Sequence, residues 1–312
     1  MVVHYKIHDF ITFYIIVVDY NNMTSIITRK RSGKTLYYLK YSSRINPKEE
    51  YIGTEIPKDI EEKKILFEEN CYREEKNPLL ETIKKNYKNY QKSTHKKILE
   101  NETHAFKIIH TYSTQKIEGS TMTIGQTRNL LENNLSPKDT SVKDIIEAQE
   151  LARLFDKMLE SKEDITPKLI LNWHGELFAK TEPNDAGEFR KVDVAPAMGK
   201  TEYALWYDVQ DEILKLIKWY SKTTMNPVEL TCRFHRKFEL IHPFIDGNGR
   251  IGRLLLLFIL HKNGYPMSNI DPKEKLLYIN KLEGSYVKND EMIFVKWFIS
   301  KYLRNNKKLL RS

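Results

Sequence analysis

The run Leu254-Leu255-Leu256-Leu257-Phe258-Ile259-Leu260 constrains the fold of this 312-residue chain more than any other feature. A helix that is apolar on every side must be surrounded, so seven apolar residues following a glycine-rich loop predict a central buried helix over 250–263. The neighbours it needs are legible. Ile145, Ala148, Leu151, Ala152, Phe155 and Leu159 recur at helical spacing across 142–160. Thr166-Pro167 starts another helix, with Leu169, Ile170, Trp173, Leu177 and Phe178 facing inward. Asn226-Pro227 opens a third carrying Leu230, Phe234, Phe238 and Ile241, and one more fits about 207–220. Upstream, 60–73 and 78–100 read as charged helices and 102–132 as a further helical stretch. The expected class is therefore mainly α.

Two segments break the helical habit. Residues 24–56 read as β structure, with Leu36–Tyr41 rich in aromatics and Gly33 and Gly53 as punctuation. Arg29, Lys30, Arg31, Lys34, Lys40 and Arg44 make the stretch basic with tyrosines between, so it reads either as a solvated sheet or as a face for nucleic acid. The second segment is 187–198. Phe189, Val192 and Val194 stand among polar residues between Gly187 and Pro196, a pattern for a short β-hairpin.

The expected organisation is an N-terminal extension (1–22), a small basic β region (23–56), a helical connector (57–100), a helical domain (101–303) and a basic tail (304–312). Residues 10–18 are apolar but too few to span a bilayer, which takes about 20. The segment also lacks the features of a secretory signal, and a strand is the alternative use for it. Only Cys71 and Cys232 occur, far apart, which fits a reducing cytoplasm and argues against a disulfide framework. The formal charge of +9 favours anionic partners.

Chemistry concentrates in 242–253, His-Pro-Phe-Ile-Asp-Gly-Asn-Gly-Arg-Ile-Gly-Arg. One helix must end near Pro243, because the residue before proline disfavours the α region. Gly247-Asn248-Gly249 permits successive N–H groups to converge, and the next helix adds its positive dipole end at the same spot. Asp246 supplies a carboxylate suited to Mg²⁺, Arg250 and Arg253 supply guanidiniums, and His242 supplies a base for a hydroxyl at neutral pH. These are the parts for in-line phosphoryl or nucleotidyl transfer.

The segment resembles the Fic family pattern H-x-F-x-(D/E)-G-N-G-R-x-x-R at every fixed position, and the similarity extends over roughly 100–303. The resemblance implies a Fic-type helical bundle with a β-hairpin flap, and a protein adenylyltransferase that moves AMP from Mg·ATP onto a hydroxyl of a target protein or of itself. By it His242 is the base and Asp246 the magnesium ligand. Gly247, Asn248, Gly249 and Gly252 belong to the nucleotide-binding loop, and Arg250 and Arg253 grip phosphates. Phe244 anchors the loop, and Tyr278 falls where relatives contact adenine. Phe189, Val192 and Val194 lie on the flap that docks the target, although Tyr203-Ala204 stands where many relatives carry a Pro-Pro pair.

Thr114-x-x-x-Glu118-Gly119 resembles the family's inhibitory pattern, on a helix expected around 104–124. It implies that Glu118 pairs with Arg253 and takes the guanidinium that should hold the γ-phosphate. His110, His174, His235 and His261 read as packed or surface residues, with His235 placed to support the loop. Two other functions stay open: hydrolytic removal of AMP, with Glu118 positioning water, and nucleic-acid regulation through the basic N-terminal region. Homodimer formation is a further open partner, and membrane insertion is not expected.

Overall fold

The computed structural model describes residues 24–195 and 201–311, so the strand suggested within residues 1–22 lies outside the described residues. Three antiparallel strands, β1 (Thr24–Arg31), β2 (Lys34–Tyr41) and β3 (Lys48–Gly53), pair in chain order. Ser32 and Gly33, at φ 49° and 75°, join β1 to β2 with the two positive φ values a type I′ turn requires. The register sets Thr24 opposite Tyr41 and Ile26 opposite Leu39. That face packs on Phe67 and Cys71 of α1 (Ile60–Ser93).

Helix α1 corrects one expectation. The break anticipated at Pro78 does not occur, and the helix runs through it to Ser93. Pro78 is exposed, so the carbonyl it leaves without an N–H partner can face water. The boundary comes at His95 instead, whose side chain accepts from Lys97 N at 3.2 Å and caps α2 (Lys96–Ile117). The described residues divide into two compact units, one reaching Asn86 and resuming at Ser300, the other spanning Tyr87–Ile299. The C-terminal tail belongs to the first, where Asn86 donates to the Leu309 carbonyl at 2.8 Å.

The second unit is helical throughout. Gly119, at φ 105°, ends the expected 102–132 stretch early, and α3 (Ile124–Asn133) restarts it behind a Thr123–Gln126 capping box. Helices α4 (Val142–Glu160) and α5 (Pro167–Phe178) open on Ser141 and Thr166, each accepting a first-turn N–H. After α6 (Val209–Lys222) comes α7 (Pro227–Ile241), capped by Asn226, and then α8 (Asn248–Lys262). Helices α9 (Lys275–Val287) and α10 (Met292–Asn305) complete the order.

Every residue of α8 from Arg250 to Leu260 is buried, as an all-round apolar helix demands. Each fully buried leucine there contributes on the order of 2 kcal/mol. Trp173 meets Phe258 edge-on at 5.2 Å, and Thr231 of α7 donates to the Leu256 carbonyl at 3.0 Å. The second half of α8 is thus held from two sides. Among the described residues of 187–195 no strand forms, so the hairpin expected over 187–198 is not seen there. Its backbone is pinned locally: Arg190 N donates to the Pro243 carbonyl at 2.9 Å, and Arg190 Nη1 to Val192 O at 2.9 Å.

Candidate active site

The loop 242–247 joins α7 to α8 through two left-handed residues. His242 ends α7 at φ 50° and ψ 60°, and Gly247 precedes α8 at φ 83°. A histidine in that conformation is sparsely populated and persists only where neighbours over-determine it. Here they do. Arg190, its side chain fully buried, donates from Nε to the His242 carbonyl at 2.8 Å and reaches the Ala204 carbonyl through Nη2.

The imidazole of His242 lies 3.3 Å, through Nδ1, from the Glu239 carbonyl. A carbonyl only accepts, so Nδ1 carries the proton and Nε2 keeps its lone pair. Tyr203 stacks on the ring at 4.0 Å and 12°. Burial pushes the imidazole down to about 4, with the Glu239 bond acting against it and Arg190 with it. His242 is therefore neutral at pH 7, an acceptor already in place.

The loop is closed by its own asparagine. Asn248 accepts from Phe244 N at 2.9 Å and donates to Phe244 O at 2.8 Å. Its side chain is thus internal bracing of the loop. Phe244 is fully buried and stacks on His174 at 3.7 Å. His174, expected to be a packed or surface residue, secures the loop: Nδ1 accepts from Gly187 N at 3.0 Å, which leaves Nε2–H to donate to the Asp246 carbonyl at 3.1 Å. A Cβ on Gly247 would collide with the Phe178 ring, so the close approach as well as the positive φ demands glycine.

The first i→i−4 bond of α8 runs from Ile251 N to Gly247 O. The N–H groups of Asn248, Gly249 and Arg250 come before it and form the free end of the helix. Asp246 stands beside them. Its Oδ1 accepts from Gly247 N at 2.6 Å and from Arg250 at 2.9 Å, whereas Oδ2 has only Lys143 nearby, at 3.8 Å. Burial pushes this carboxyl up, but Arg250, the Gly247 N–H and Lys143 together hold it below the usual range. Among the described residues no set of three or more His, Cys, Asp or Glu side chains gathers around a common point.

The two arginines of the motif meet different partners. Arg250 is engaged by protein: Nη1 pairs with Glu147 of α4, Nη2 with Asp246, and its face lies 4.5 Å over Phe178. Arg253 is engaged by α2. Its Nε donates to Thr114 Oγ1 at 2.7 Å, and Nη2 pairs with Glu118 Oε1. Burial works against its charge, but Glu118, Tyr278 and Glu239 together outweigh that and raise its pKa. Gly249 makes room for this pair, since a Cβ there would meet Glu118 Oε1 and the Arg253 guanidinium.

Two further residues assigned to the nucleotide are packed against protein. Gly252 faces α7, where a Cβ would collide with Glu239 Oε1, so its smallness serves helix packing. Tyr278 is 3 % exposed, with its hydroxyl 2.7 Å from His235 Nε2 and within hydrogen-bonding reach of Arg253. On the flap, Phe189 packs 5.8 Å from Phe244 while Val192 is exposed. The sequence reading missed Glu147. Its signal was a carboxylate inside an otherwise apolar stripe, between Ile145 and Ala148.

Residues 164–260 match the model of the Fic/DOC family. The protein adenylyltransferase Fic of Drosophila ananassae is 32% identical over 181 residues, 56% of this chain and 36% of the relative. The protein adenylyltransferase fic-1 of Caenorhabditis briggsae is 32% identical over 193 residues, 59% of this chain and 37% of the relative. The chain thus spans little more than a third of the length of these relatives. A Fic domain-containing signalling protein from Bacteroides thetaiotaomicron has a similar structure, with a TM-score of 0.68 at 27% identity, covering 75% of this chain and 96% of that one.

Proposed function

We propose, from the match of residues 164–260 to the Fic/DOC family, that this protein is an adenylyltransferase that transfers AMP from ATP to a protein hydroxyl. The observation that carries the reading is the convergence, at the start of α8, of a neutral His242 with a free Nε2, the Asp246 carboxylate and the unpaired N–H groups of 248–250. His242 Nε2 takes the proton of the target hydroxyl. The oxygen then bonds to the α-phosphorus, the bond from that phosphorus to the bridging oxygen breaks, and pyrophosphate leaves. The N–H groups at the helix end stabilise charge on the phosphates.

A magnesium ion fits Asp246. Oδ2 is a hard oxygen without a hydrogen bond on a half-exposed side chain, and Mg²⁺ takes one or two carboxylates with the rest from phosphate and water. When bound there, the ion would neutralise phosphate charge. Arg250 is better suited to fixing Asp246 than to gripping phosphate, because both its Nη atoms are already paired.

The Glu118–Arg253 pair serves as an internal brake. Arg253 is the guanidinium left for a terminal phosphate, and Glu118 and Thr114 hold it. A hydrolytic role for Glu118 has less support, since its carboxylate is engaged by Arg253. Free, buried Cys71 and Cys232 support a reducing, cytoplasmic setting. Among the described residues no helix is long and apolar enough to cross a membrane.

Incubation with α-labelled ATP and Mg²⁺ tests the reading. Label should appear on protein and increase in Glu118→Gly, and His242→Ala should lower it by about 10²–10⁴-fold. Label that persists undiminished in His242→Ala would overturn it.

A further inference from the structure

The first unit carries a surface that nucleotidyl transfer does not use. Between Thr24 and Pro47 the chain holds six basic residues and no acidic one. The register gathers most of them at one end of the sheet: Arg31 stands opposite Lys34, Lys30 opposite Thr35 and Arg29 opposite Leu36. Strand β3 pairs only with Tyr37–Tyr41. The β1–β2 hairpin therefore continues past β3 as a two-stranded ribbon for three residue pairs, about 10 Å at 3.4 Å per residue.

Arg29, Lys30, Arg31 and Lys34 are all exposed. Arg29 is turned back, hydrogen-bonding Glu49 at 2.5 Å and lying 5.1 Å over Tyr38. Lys30, Arg31 and Lys34 flank the tight Ser32-Gly33 turn. Behind them on the outer face stand Tyr38 and Tyr51, 5.3 Å apart, with Tyr51 half exposed.

We propose that this ribbon docks on duplex DNA, with its basic tip entering the major groove. A B-form major groove, about 12 Å wide and 8.5 Å deep, admits a two-stranded ribbon of this length. The deep, narrow major groove of A-form RNA does not. The like charges at the tip repel one another in the free protein, and bound phosphates relieve that repulsion. A single strand offers no groove, and it would call for a run of stacking rings rather than one tilted pair behind the tip. The proposal is independent of the nucleotidyl-transfer reading, since no residue of 242–253 enters it.

Fluorescence anisotropy of the full chain on a labelled 20-base-pair DNA duplex, between 50 and 200 mM salt, is the test. Neutralising about three phosphates gives an expected slope of log K against log salt near −3. The variant Lys30→Glu/Arg31→Glu/Lys34→Glu should lose at least about 100-fold in affinity at 100 mM salt, and its slope should approach zero. The exposed-lysine variant Lys162→Glu/Lys168→Glu/Lys222→Glu carries the same change in net charge and should keep most of the affinity. Circular dichroism melting checks that each variant folds. Equal losses in the two variants would reduce the effect to net charge and overturn the proposal. So would equal or tighter binding of duplex RNA or single-stranded DNA, or binding only to vesicles of anionic lipid.

Discussion

Two carboxylates reach the start of α8 from other helices, and they differ in how much water each keeps. Glu147 comes from the first half of α4 and pairs with Arg250 where both side chains are under 5 % exposed. Glu118 comes from the C-terminal end of α2 and pairs with Arg253, itself buried, while keeping 34 % of its own side chain exposed. The first pair has no water to fall back on. Breaking it strands a buried charge, so it behaves as part of the fold. In the second, the carboxylate can return to solvent and leave its guanidinium to another anion. An ion pair buried on both sides fixes geometry, and one open on a single side can be displaced by a ligand.

The sharpest way to break that contrast is Glu147→Ala. It should cost about 3–5 kcal/mol of stability, read as a fall in the urea midpoint at unchanged m. A loss under about 1 kcal/mol would put the two pairs in one class. Glu118→Gly should cost less stability than Glu147→Ala, since Thr114 still holds the Arg253 Nε, while raising label incorporation from α-labelled ATP by an order of magnitude or more. An unchanged rate would remove the brake from the account.

Acid tests the fixed side. Burial holds His110, His174 and His242 down to about 4 and His235 to about 3. Unfolded imidazoles bind protons near 6.5, so their contribution to stability is whole above that pH and is lost as pH falls from about 6.5 to 4. Glu239, pushed up to about 7 by burial, works the other way: its contribution is present below about 4.5 and lost by 7. Four imidazoles against one carboxyl give a net fall toward acid. His174→Gln should therefore shrink the drop in Tm between pH 7 and pH 5, and a full-sized drop would show that His174 is not among the groups responsible.

The smallest effect belongs to Tyr203, which covers His242 without a hydrogen bond to it. Tyr203→Ala should raise the His242 pKa, followed by NMR titration of its ring protons, by about one unit as water reaches the imidazole. Tyr203→Phe should leave it in place. If both variants titrate like the parent protein, the stack does not govern the base.

Much of this was legible in the chain. Caps at Thr166 and Asn226, the stripe of 142–160 and the apolar run 254–260 are local signals, and local signals set helices. The His242–Arg253 motif likewise places its groups within one loop and one helical turn, where spacing alone brings them together. The run past Pro78 was less legible, because whether a proline ends a helix depends on which side meets water. The protein partners of Arg250 and Gly252 were less legible for a related reason. A guanidinium's partner and a glycine's neighbour are chosen by what packs against them.

The amino-acid order determined the elements and the chemical groups of the site, since capping, periodicity and turn conformation act over a few residues. Tertiary structure decided which arginine is fixed and which is held by a removable partner. Glu147 and Glu118 lie 103 and 135 residues from the arginines they meet. Burial, which separates a permanent ion pair from a reversible one, is a property of the packed molecule and of no single stretch of chain.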